Sequence, residues 1–277
     1  MSWLEALIWG ALQGLTEFLP ISSSAHLAIF PQLFGQDDPG ASFTAVTQIG
    51  TELAVIWFFR KDIWRIITTW CKSLVRAELR GHLDARMGWY IIIGTIPIGI
   101  AGFLLEDTIQ TTFRNLWVIA INLILFGLIL GVADRLARAV VPIERLNLRD
   151  AVLYGAAQML ALVPGVSRSG ATISMGLFLG YTREAATRYA FLLAIPAVVA
   201  SGIFQIPDIS ASAEPGMAKT IAATVVAFIV GYLVIGWLLR YIRTRSYMPF
   251  VIYRVALGVF VLVLLATGVL DSQVSGA

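Results

Sequence analysis

The chain has 277 residues, of which 58% are hydrophobic and only 13% are charged, and its mean hydropathy is +0.82. A soluble domain is closer to half apolar and a quarter charged, so this composition excludes an ordinary soluble enzyme and indicates a polytopic membrane protein. The single cysteine excludes an intrachain disulfide. The net charge is +3, and the basic residues are concentrated in a few loops. Their distribution therefore indicates the orientation of the chain in a membrane more than it indicates an anionic partner.

Eight apolar segments follow one another along the chain. In chain order they are 2–34, 43–59, 88–105, 116–133, 151–181, 185–206, 217–239 and 250–270. Six of them are predicted to span a membrane as full helices, with kinks at Pro97 and Pro196, because a spanning helix needs about 20 mainly apolar residues. The first and the fifth are interrupted by Pro20 and Pro164, and each is predicted to form a pair of half-helices.

Arginine and lysine are unevenly distributed among the connecting loops. They are abundant in 60–87, 134–150, 182–188 and 240–249, whereas 36–42, 104–115 and 207–216 carry at most one. The positive-inside rule therefore places the first group in the cytoplasm. Consequently the segment 151–181 starts and ends at the cytoplasmic face, and the segment 2–34 starts and ends outside. Both are predicted to be re-entrant hairpins that enter from opposite faces.

The predicted fold is an all-α polytopic membrane protein with six transmembrane helices and two re-entrant helix hairpins in an inverted-topology repeat. It forms a single membrane domain over 1–277, with a first repeat at 1–140 and a second at 141–277. Polar, broken segments at matching places in two halves point to a site at the membrane midplane. Non-helical backbone at that depth must be buried or line a wet cavity, so a cavity is predicted where the two hairpin tips meet.

The first hairpin carries a carboxylate and a histidine at membrane depth. Gln13 and Glu17 are four residues apart and share one helix face. Pro20 ends that helix, and the three serines at 22–24 occupy capping positions of the next one, with His26 on the same face. An ionisable group at this depth costs at least about 2.5 kcal/mol and is a functional candidate. The competing interpretation of Glu17 is a structural ion pair.

The second hairpin carries an arginine among hydroxyls directly after its break. Pro164 and Gly165 end one half-helix, and Ser167, Arg168 and Ser169 begin the next. Free backbone N–H groups, the positive end of a helix dipole and a guanidinium together describe an anion site, and arginine matches phosphate oxygens in a bidentate manner. The alternative is that Arg168 neutralises Glu17, and the two interpretations are compatible. Glu52 is left open between a cavity residue and a structural partner, and Arg254 is expected to snorkel or to pair.

Both hairpin motifs resemble signatures of one family. Residues 13–26 (QGLTEFLPISSSAH) resemble the first signature of the BacA/UppP family of undecaprenyl-diphosphate phosphatases, and residues 164–172 (PGVSRSGAT) resemble its second. The resemblance implies a multi-pass enzyme of the bacterial cytoplasmic (inner) membrane with its site open to the outer side. It further implies hydrolysis of a polyprenyl diphosphate lipid to the monophosphate, recycling of that carrier for cell-wall synthesis, and bacitracin resistance. Membrane lipids are expected partners, nucleic acid is not, and a homodimer is left open.

The resemblance also implies roles for individual residues. Catalytic roles are implied for Glu17, Ser23, His26 and Arg168, with Ser23 as candidate nucleophile and His26 as base or nucleophile. A divalent cation, magnesium or calcium, is expected at Gln13 and Glu17, although Gln13 stands where many members have a second glutamate. The residues expected to bind phosphate lie around both breaks: Ser22, Ser24, Gly165, Ser167, Ser169 and Thr172.

Two alternatives from other classes were weighed against the phosphatase. A lipid-phosphate flippase or anion carrier shares inverted repeats with broken helices, but it has no evident need for Glu17 and His26 beside a serine cluster. A phosphatase of the other lipid-phosphatase superfamily requires a lysine–arginine motif and two histidines in separate motifs. The chain has only His26 and His82, and His82 lacks matching surroundings.

Overall fold

The computed structural model describes residues 1–36, 40–105, 115–209 and 216–273, without the side chains of 41–42 and 201–209. The described part is helical and contains no β-strand. Its α-helices are α1 (Trp3–Phe18), α2 (Ser23–Phe34), α3 (Ala41–Phe58), α4 (Arg60–Val75), α5 (Leu83–Leu104), α6 (Leu116–Leu136), α7 (Leu148–Met159), α8 (Arg168–Phe178), α9 (Arg183–Ile209), α10 (Met217–Tyr241) and α11 (Met248–Ala266). The all-α prediction is confirmed.

Four of the described helices are long and apolar enough to cross a membrane: α5, α6, α10 and α11. They contain the predicted spans 88–105, 116–133, 217–239 and 250–270 almost completely, which supports the membrane class. The other two predicted spans also form helices, within α3 and α9.

The loop predicted at 60–87 is largely helical, contrary to expectation. Its first part forms α4, which ends at Val75, and a short 3₁₀ turn follows. Trp64 and Ile67 of α4 are exposed beside Arg60 and Arg65, as in an amphipathic helix that lies on an interface. The predicted external loops 36–42, 104–115 and 207–216 fall partly outside the described residues.

Both predicted breaks are present. Helix α1 ends at Phe18 and α2 begins at Ser23, while α7 is followed by a 3₁₀ turn and α8 begins at Arg168. The residues immediately before α2 and α8 are Ser22 and Ser167, with φ of 74° and 71°. A positive φ is uncommon outside glycine, so the same unusual conformation at both positions marks the two breaks as structurally equivalent.

The first helix of each hairpin packs against a helix from the other half of the chain. Helix α1 packs on α10, and α7 packs on α5. A Cβ atom added at Gly10 would lie 2.3 Å from the carbonyl oxygen of Ala223, and one at Gly155 would lie 2.4 Å from that of Gly94. These contacts leave no room for a side chain. The repeated glycines of the two motifs therefore let the first helix of each hairpin approach its partner helix backbone against backbone.

Candidate active site at the meeting of two helix breaks

The tips of the two hairpins touch, as the sequence predicted. The hydroxyl of Ser169 donates to the carbonyl oxygen of Leu19 at 3.2 Å. The backbone N–H of Gly165 donates to the hydroxyl oxygen of Ser24 at 3.5 Å. Residues that are about 145 positions apart in sequence thus form one polar cluster within otherwise apolar surroundings.

Glu17 is the centre of this cluster. Its Oε1 accepts a hydrogen bond from Nη2 of Arg168 at 2.6 Å, and its Oε2 accepts from the Ser23 hydroxyl at 2.7 Å and from Nε2 of Gln13 at 3.2 Å. The side chains of Glu17 and Arg168 are 11% and 23% exposed, so the ion pair is mostly shielded from water but remains accessible. A charge-assisted bond of this kind is short and strong.

A cavity opens beside the ion pair. Its polar lining consists of Glu17, Thr51, Glu52, Arg168 and Ser169. Its apolar wall consists of Phe18, Val55, Ala190, Phe191, Ala194 and Val198. A charged group beside apolar walls is suited to an amphiphilic ligand whose head is an anion, because the head reaches the guanidinium while hydrocarbon contacts the wall.

Backbone donors are available at the start of α8. The hydroxyl of Ser167 accepts from the N–H of Gly170 at 3.2 Å, while the N–H groups of Arg168 and Ser169 have no acceptor among the residues that the structure describes. The first N–H groups of a helix lack intrahelical partners and carry the positive end of its dipole. Together with the Arg168 side chain they are the groups that the sequence analysis expects to bind an anion, and that role stays a prediction.

His26 is bound to the first hairpin and to α11. Its Nδ1 donates to the carbonyl oxygen of Ser22 at 2.7 Å, which leaves Nε2 as acceptor from the Tyr253 hydroxyl, also at 2.7 Å. The two rings are stacked, with centroids 5.6 Å apart. His26 makes no hydrogen bond to Ser23 within the described part of the chain, so its participation in the chemistry stays a prediction.

Several hydroxyls predicted to bind phosphate are engaged with the protein. The hydroxyl of Thr172 donates to the carbonyl oxygen of Arg168, one turn back along α8, at 2.7 Å, as hydroxyl side chains inside helices often do. Those of Ser22 and Ser24 bond to each other at 3.1 Å. Thr172 is fully buried and does not line the cavity. It therefore supports α8 in this structure and presents no hydroxyl to the cavity.

Replacing Gly165 by alanine is expected to destabilise the protein by more than about 2 kcal/mol. Gly165 has φ of +89°, and an added Cβ atom would lie 2.5 Å from the carbonyl oxygen of Ile119 in α6. Thermal unfolding of the detergent-solubilised variant measures the loss. Gly35 is the matched control, because it also has a positive φ but has nothing within 4 Å. An unfolding temperature for Gly165→Ala equal to that of Gly35→Ala would contradict the packing argument.

Comparison with known proteins now adds to the geometry. A family model described as "Bacitracin resistance protein BacA" matches residues 6–260. The chain belongs to the BacA family. The "Undecaprenyl-diphosphatase" of a Nocardioides species is 63% identical over 271 residues, which cover 98% of this chain and 99% of the relative. Proteins with the same name from Thermobifida fusca and Micrococcus luteus are 56% and 55% identical to this chain. The matched regions cover 100% and 98% of this chain and 94% and 100% of the two relatives.

Within this BacA-family chain, one buried arginine was misjudged from the sequence. Arg254 of α11 is 0% exposed, and its guanidinium contacts only backbone carbonyl oxygens among the described residues. The expectation that it snorkels or pairs with an acid is wrong. Tyr253, the partner of His26, was not singled out at all. The available signal was two adjacent polar side chains in a strongly apolar span, the second of them ionisable.

Glu52 faces the cavity, which resolves the alternative that the sequence left open. The residue is 8% exposed and lines the cavity together with Glu17 and Arg168. No basic side chain forms a salt bridge with it within the described part. The cavity therefore contains two carboxylates and one guanidinium, so it has an excess of acidic groups where an anionic substrate would bind.

Proposed function

We propose that this BacA-family protein hydrolyses undecaprenyl diphosphate to the lipid monophosphate and inorganic phosphate. The reaction regenerates the carrier for peptidoglycan and other cell-wall polymers and confers bacitracin resistance. Relatives that cover nearly the whole chain are named undecaprenyl-diphosphatase. The observation that carries the proposal is Glu17, held between the hydroxyl of Ser23 and the guanidinium of Arg168 at the meeting of two helix breaks.

The same observation favours an enzyme over a carrier. A carrier needs an anion site, which Arg168 and the start of α8 supply, but it does not need a carboxylate bonded to a hydroxyl. The 2.7 Å hydrogen bond from the Ser23 hydroxyl to the Glu17 carboxylate supports the proposed roles of Ser23 as nucleophile and Glu17 as its base, because nucleophilic catalysis needs such a pair. The named relatives favour the phosphatase as well.

In the proposed mechanism, substrate binding rearranges the ion pair. The terminal phosphate accepts hydrogen bonds from the guanidinium of Arg168 and from the free N–H groups of Arg168 and Ser169. The prenyl chain lies along the apolar wall of the cavity. These donors also face the charge that develops on the phosphoryl oxygens in the transition state. The carboxylate of Glu17, partly released from Arg168, becomes a stronger proton acceptor.

Bond formation then follows the existing hydrogen bond. Glu17 accepts the proton of Ser23 as Oγ attacks the terminal phosphorus, and the bond from phosphorus to the bridging oxygen breaks. The lipid monophosphate leaves. Water then attacks the phosphorus of the phosphoserine, the bond from phosphorus to Oγ breaks, and Glu17 returns its proton to Oγ as inorganic phosphate is released. We assign His26 to the water step as base: Nε2 is the unprotonated nitrogen of the ring, and it would exchange the hydroxyl of Tyr253 for the attacking water before it takes the proton.

A divalent cation, magnesium or calcium, is part of the proposal. The residues fit such an ion, because hard cations prefer oxygen ligands, and Oε1 of Gln13 is buried without a hydrogen-bond partner in the described structure. Glu17 and Glu52, which both line the cavity, are the carboxylates that would hold the cation, and Gln13 would add its amide oxygen after a flip of the amide that now donates to Glu17. When bound, the cation neutralises phosphate charge and polarises the phosphoryl oxygens.

Replacing Glu52 by glutamine is expected to raise the magnesium or calcium concentration for half-maximal activity by about 10-fold or more. The change removes one of the two cavity carboxylates while keeping the size of the side chain. Activity titrations with each cation after chelator treatment measure the effect. An unchanged midpoint would remove Glu52 from the cation site, and activity that survives chelation in the wild type would remove the cation itself.

We further propose the topology that the loop charges predicted. It comprises six spans and two re-entrant hairpins, arranged as inverted repeats over 1–140 and 141–277, in the bacterial cytoplasmic membrane with the cavity accessible from outside. The shared conformation of Ser22 and Ser167 and the reciprocal packing of α1 on α10 and α7 on α5 support the repeat. Contacts with membrane lipids are expected, and a homodimer is left open.

Phosphate release by purified protein in detergent tests the function directly. A long-chain polyprenyl diphosphate is the substrate, and no second compartment is present, so a carrier would give no product. Release of one inorganic phosphate per lipid monophosphate is the expected result. Absence of release with folded protein and added cation would leave the carrier as the better description.

A further inference from the structure

The most unusual group outside the proposed mechanism is Arg254. It lies in α11, is fully buried, and has no salt bridge within the described part of the chain. A buried charge costs several kcal/mol unless hydrogen bonds compensate it. Here hydrogen bonds to five backbone carbonyl oxygens compensate the charge, and the positions of these oxygens suggest a role for the residue.

Three of the five carbonyls belong to the two helix breaks. Nη1 donates to Pro20 at 3.1 Å, in the first break, and Nη2 donates to Gly165 at 2.8 Å and to Val166 at 3.0 Å, in the second. The other two lie in α6, where Nε donates to Leu123 at 3.2 Å and Nη2 to Asn122 at 3.3 Å. One side chain therefore links both hairpin tips to α6.

We propose that Arg254 is a positioning residue of the phosphatase site. It binds the free carbonyl oxygens of the two breaks and leaves their free N–H groups available to the phosphate. A broken helix leaves carbonyl oxygens unpaired on one side of the break and N–H groups unpaired on the other. Arg254 binds the carbonyls of Pro20, Gly165 and Val166. Their negative ends are thereby held away from the anion site, and the N–H groups of Arg168 and Ser169 remain for the phosphate.

The start of α8 fits closely around this guanidinium. A Cβ atom added at Gly170, in the first turn of α8, would lie 2.8 Å from Nη1 of Arg254. There is therefore no room for a side chain between Gly170 and the guanidinium of Arg254. Displacing Arg254 is therefore expected to disturb the backbone donors that neighbour Gly170.

The proposal predicts a catalytic loss that exceeds any loss of folding. Arg254→Met is expected to lower kcat/KM for the polyprenyl diphosphate by about 100-fold or more, as when aligned donors to a developing anion are lost. Arg254→Lys keeps the charge, but an ammonium group cannot bind both breaks as the planar guanidinium does. We therefore expect its kcat/KM to be about 10-fold above that of Arg254→Met and still below that of the wild type. The rate is referred to the folded fraction measured by size-exclusion chromatography and thermal unfolding.

Arg183→Met is the matched control. Nε of Arg183 donates to the buried carboxylate of Asp134 at 2.6 Å, and neither residue lines the cavity. Its loss is expected to lower the unfolding temperature while the folded protein keeps its kcat/KM. If Arg254→Met and Arg183→Met lowered stability alike and neither changed kcat/KM, Arg254 would be an ordinary structural residue and the proposal would be overturned.

A second measurement separates this inference from the proposed function on which it rests. Binding of inorganic phosphate to the purified protein can be measured as a rise in its unfolding temperature, and this measurement needs no turnover. We expect weaker phosphate binding in Arg254→Met and, to a smaller extent, in Gly170→Ala, which displaces Nη1 without removing the charge. A wild type that binds phosphate but hydrolyses no lipid would refute the enzyme and leave the test of Arg254 intact. Unchanged phosphate binding in both variants would refute the role of Arg254.

Discussion

Glu17→Gln is expected to lower kcat/KM for phosphate release by at least about 1,000-fold, the range of a lost general base. The substitution keeps the size of the side chain but removes the charge that Arg168 and Ser23 both contact. Glutamine can still accept a hydrogen bond, so the fold is expected to survive. The loss therefore reports removal of the carboxylate in its two proposed roles, as proton acceptor and as cation ligand. Steady-state release of phosphate from a long-chain polyprenyl diphosphate measures it.

Glu5→Gln is the control for this substitution. Glu5 is on the same helix, α1, and its side chain accepts from the N–H of Ser2 at 2.7 Å in a capping box. Its replacement is expected to cost about 1 kcal/mol of stability or less and to leave turnover by folded protein unchanged. If Glu17→Gln kept more than about a tenth of the wild-type rate, Glu17 would not be the general base of the reaction.

The breaks and their contact could be predicted because the signals are local. A proline followed at once by hydroxyls ends one helix and starts another, whatever surrounds it, and this held at Pro20 and at Pro164. The pairing of Glu17 with Arg168 was one of two compatible interpretations that the sequence offered, and the structure contains it as an ion pair. These features needed no knowledge of how the spans are arranged.

The partners supplied by α11 could not be predicted in the same way. Tyr253 binds His26, and Arg254 binds both breaks, across more than 200 residues in the case of the first hairpin. Their partners depend on where the last span packs, which hydropathy does not report. The carbonyls that Arg254 binds belong to irregular backbone, and a sequence gives no sign of which oxygens a break leaves free. The helical form of the loop 60–87 was missed because only its charge was considered.

Arg168→Met is expected to lower kcat/KM by at least about 1,000-fold, comparable with the loss of an arginine that stabilises a phosphoryl-transfer transition state. Arg168→Lys is expected to recover about a tenth to a hundredth of the wild-type value, because the ammonium keeps the charge without the bidentate fork. Arg243→Met is the control, since Arg243 forms an exposed pair with Glu184 and lies outside the cavity. Equal activity of Arg168→Met and Arg243→Met would contradict the phosphate site.

The double variant Glu17→Gln/Arg168→Met separates catalysis from stability. Arg168→Met alone leaves the carboxylate of Glu17 without its cation in a mostly buried site, which is expected to lower the unfolding temperature. Removing the carboxylate as well relieves that cost, so the double variant is expected to unfold at a higher temperature than Arg168→Met. Its activity stays absent, because neither the base nor the phosphate donor is present. Recovery of stability without activity would show that the pair is kept for its chemistry, whereas joint recovery would show that the rate loss in Arg168→Met is a folding defect.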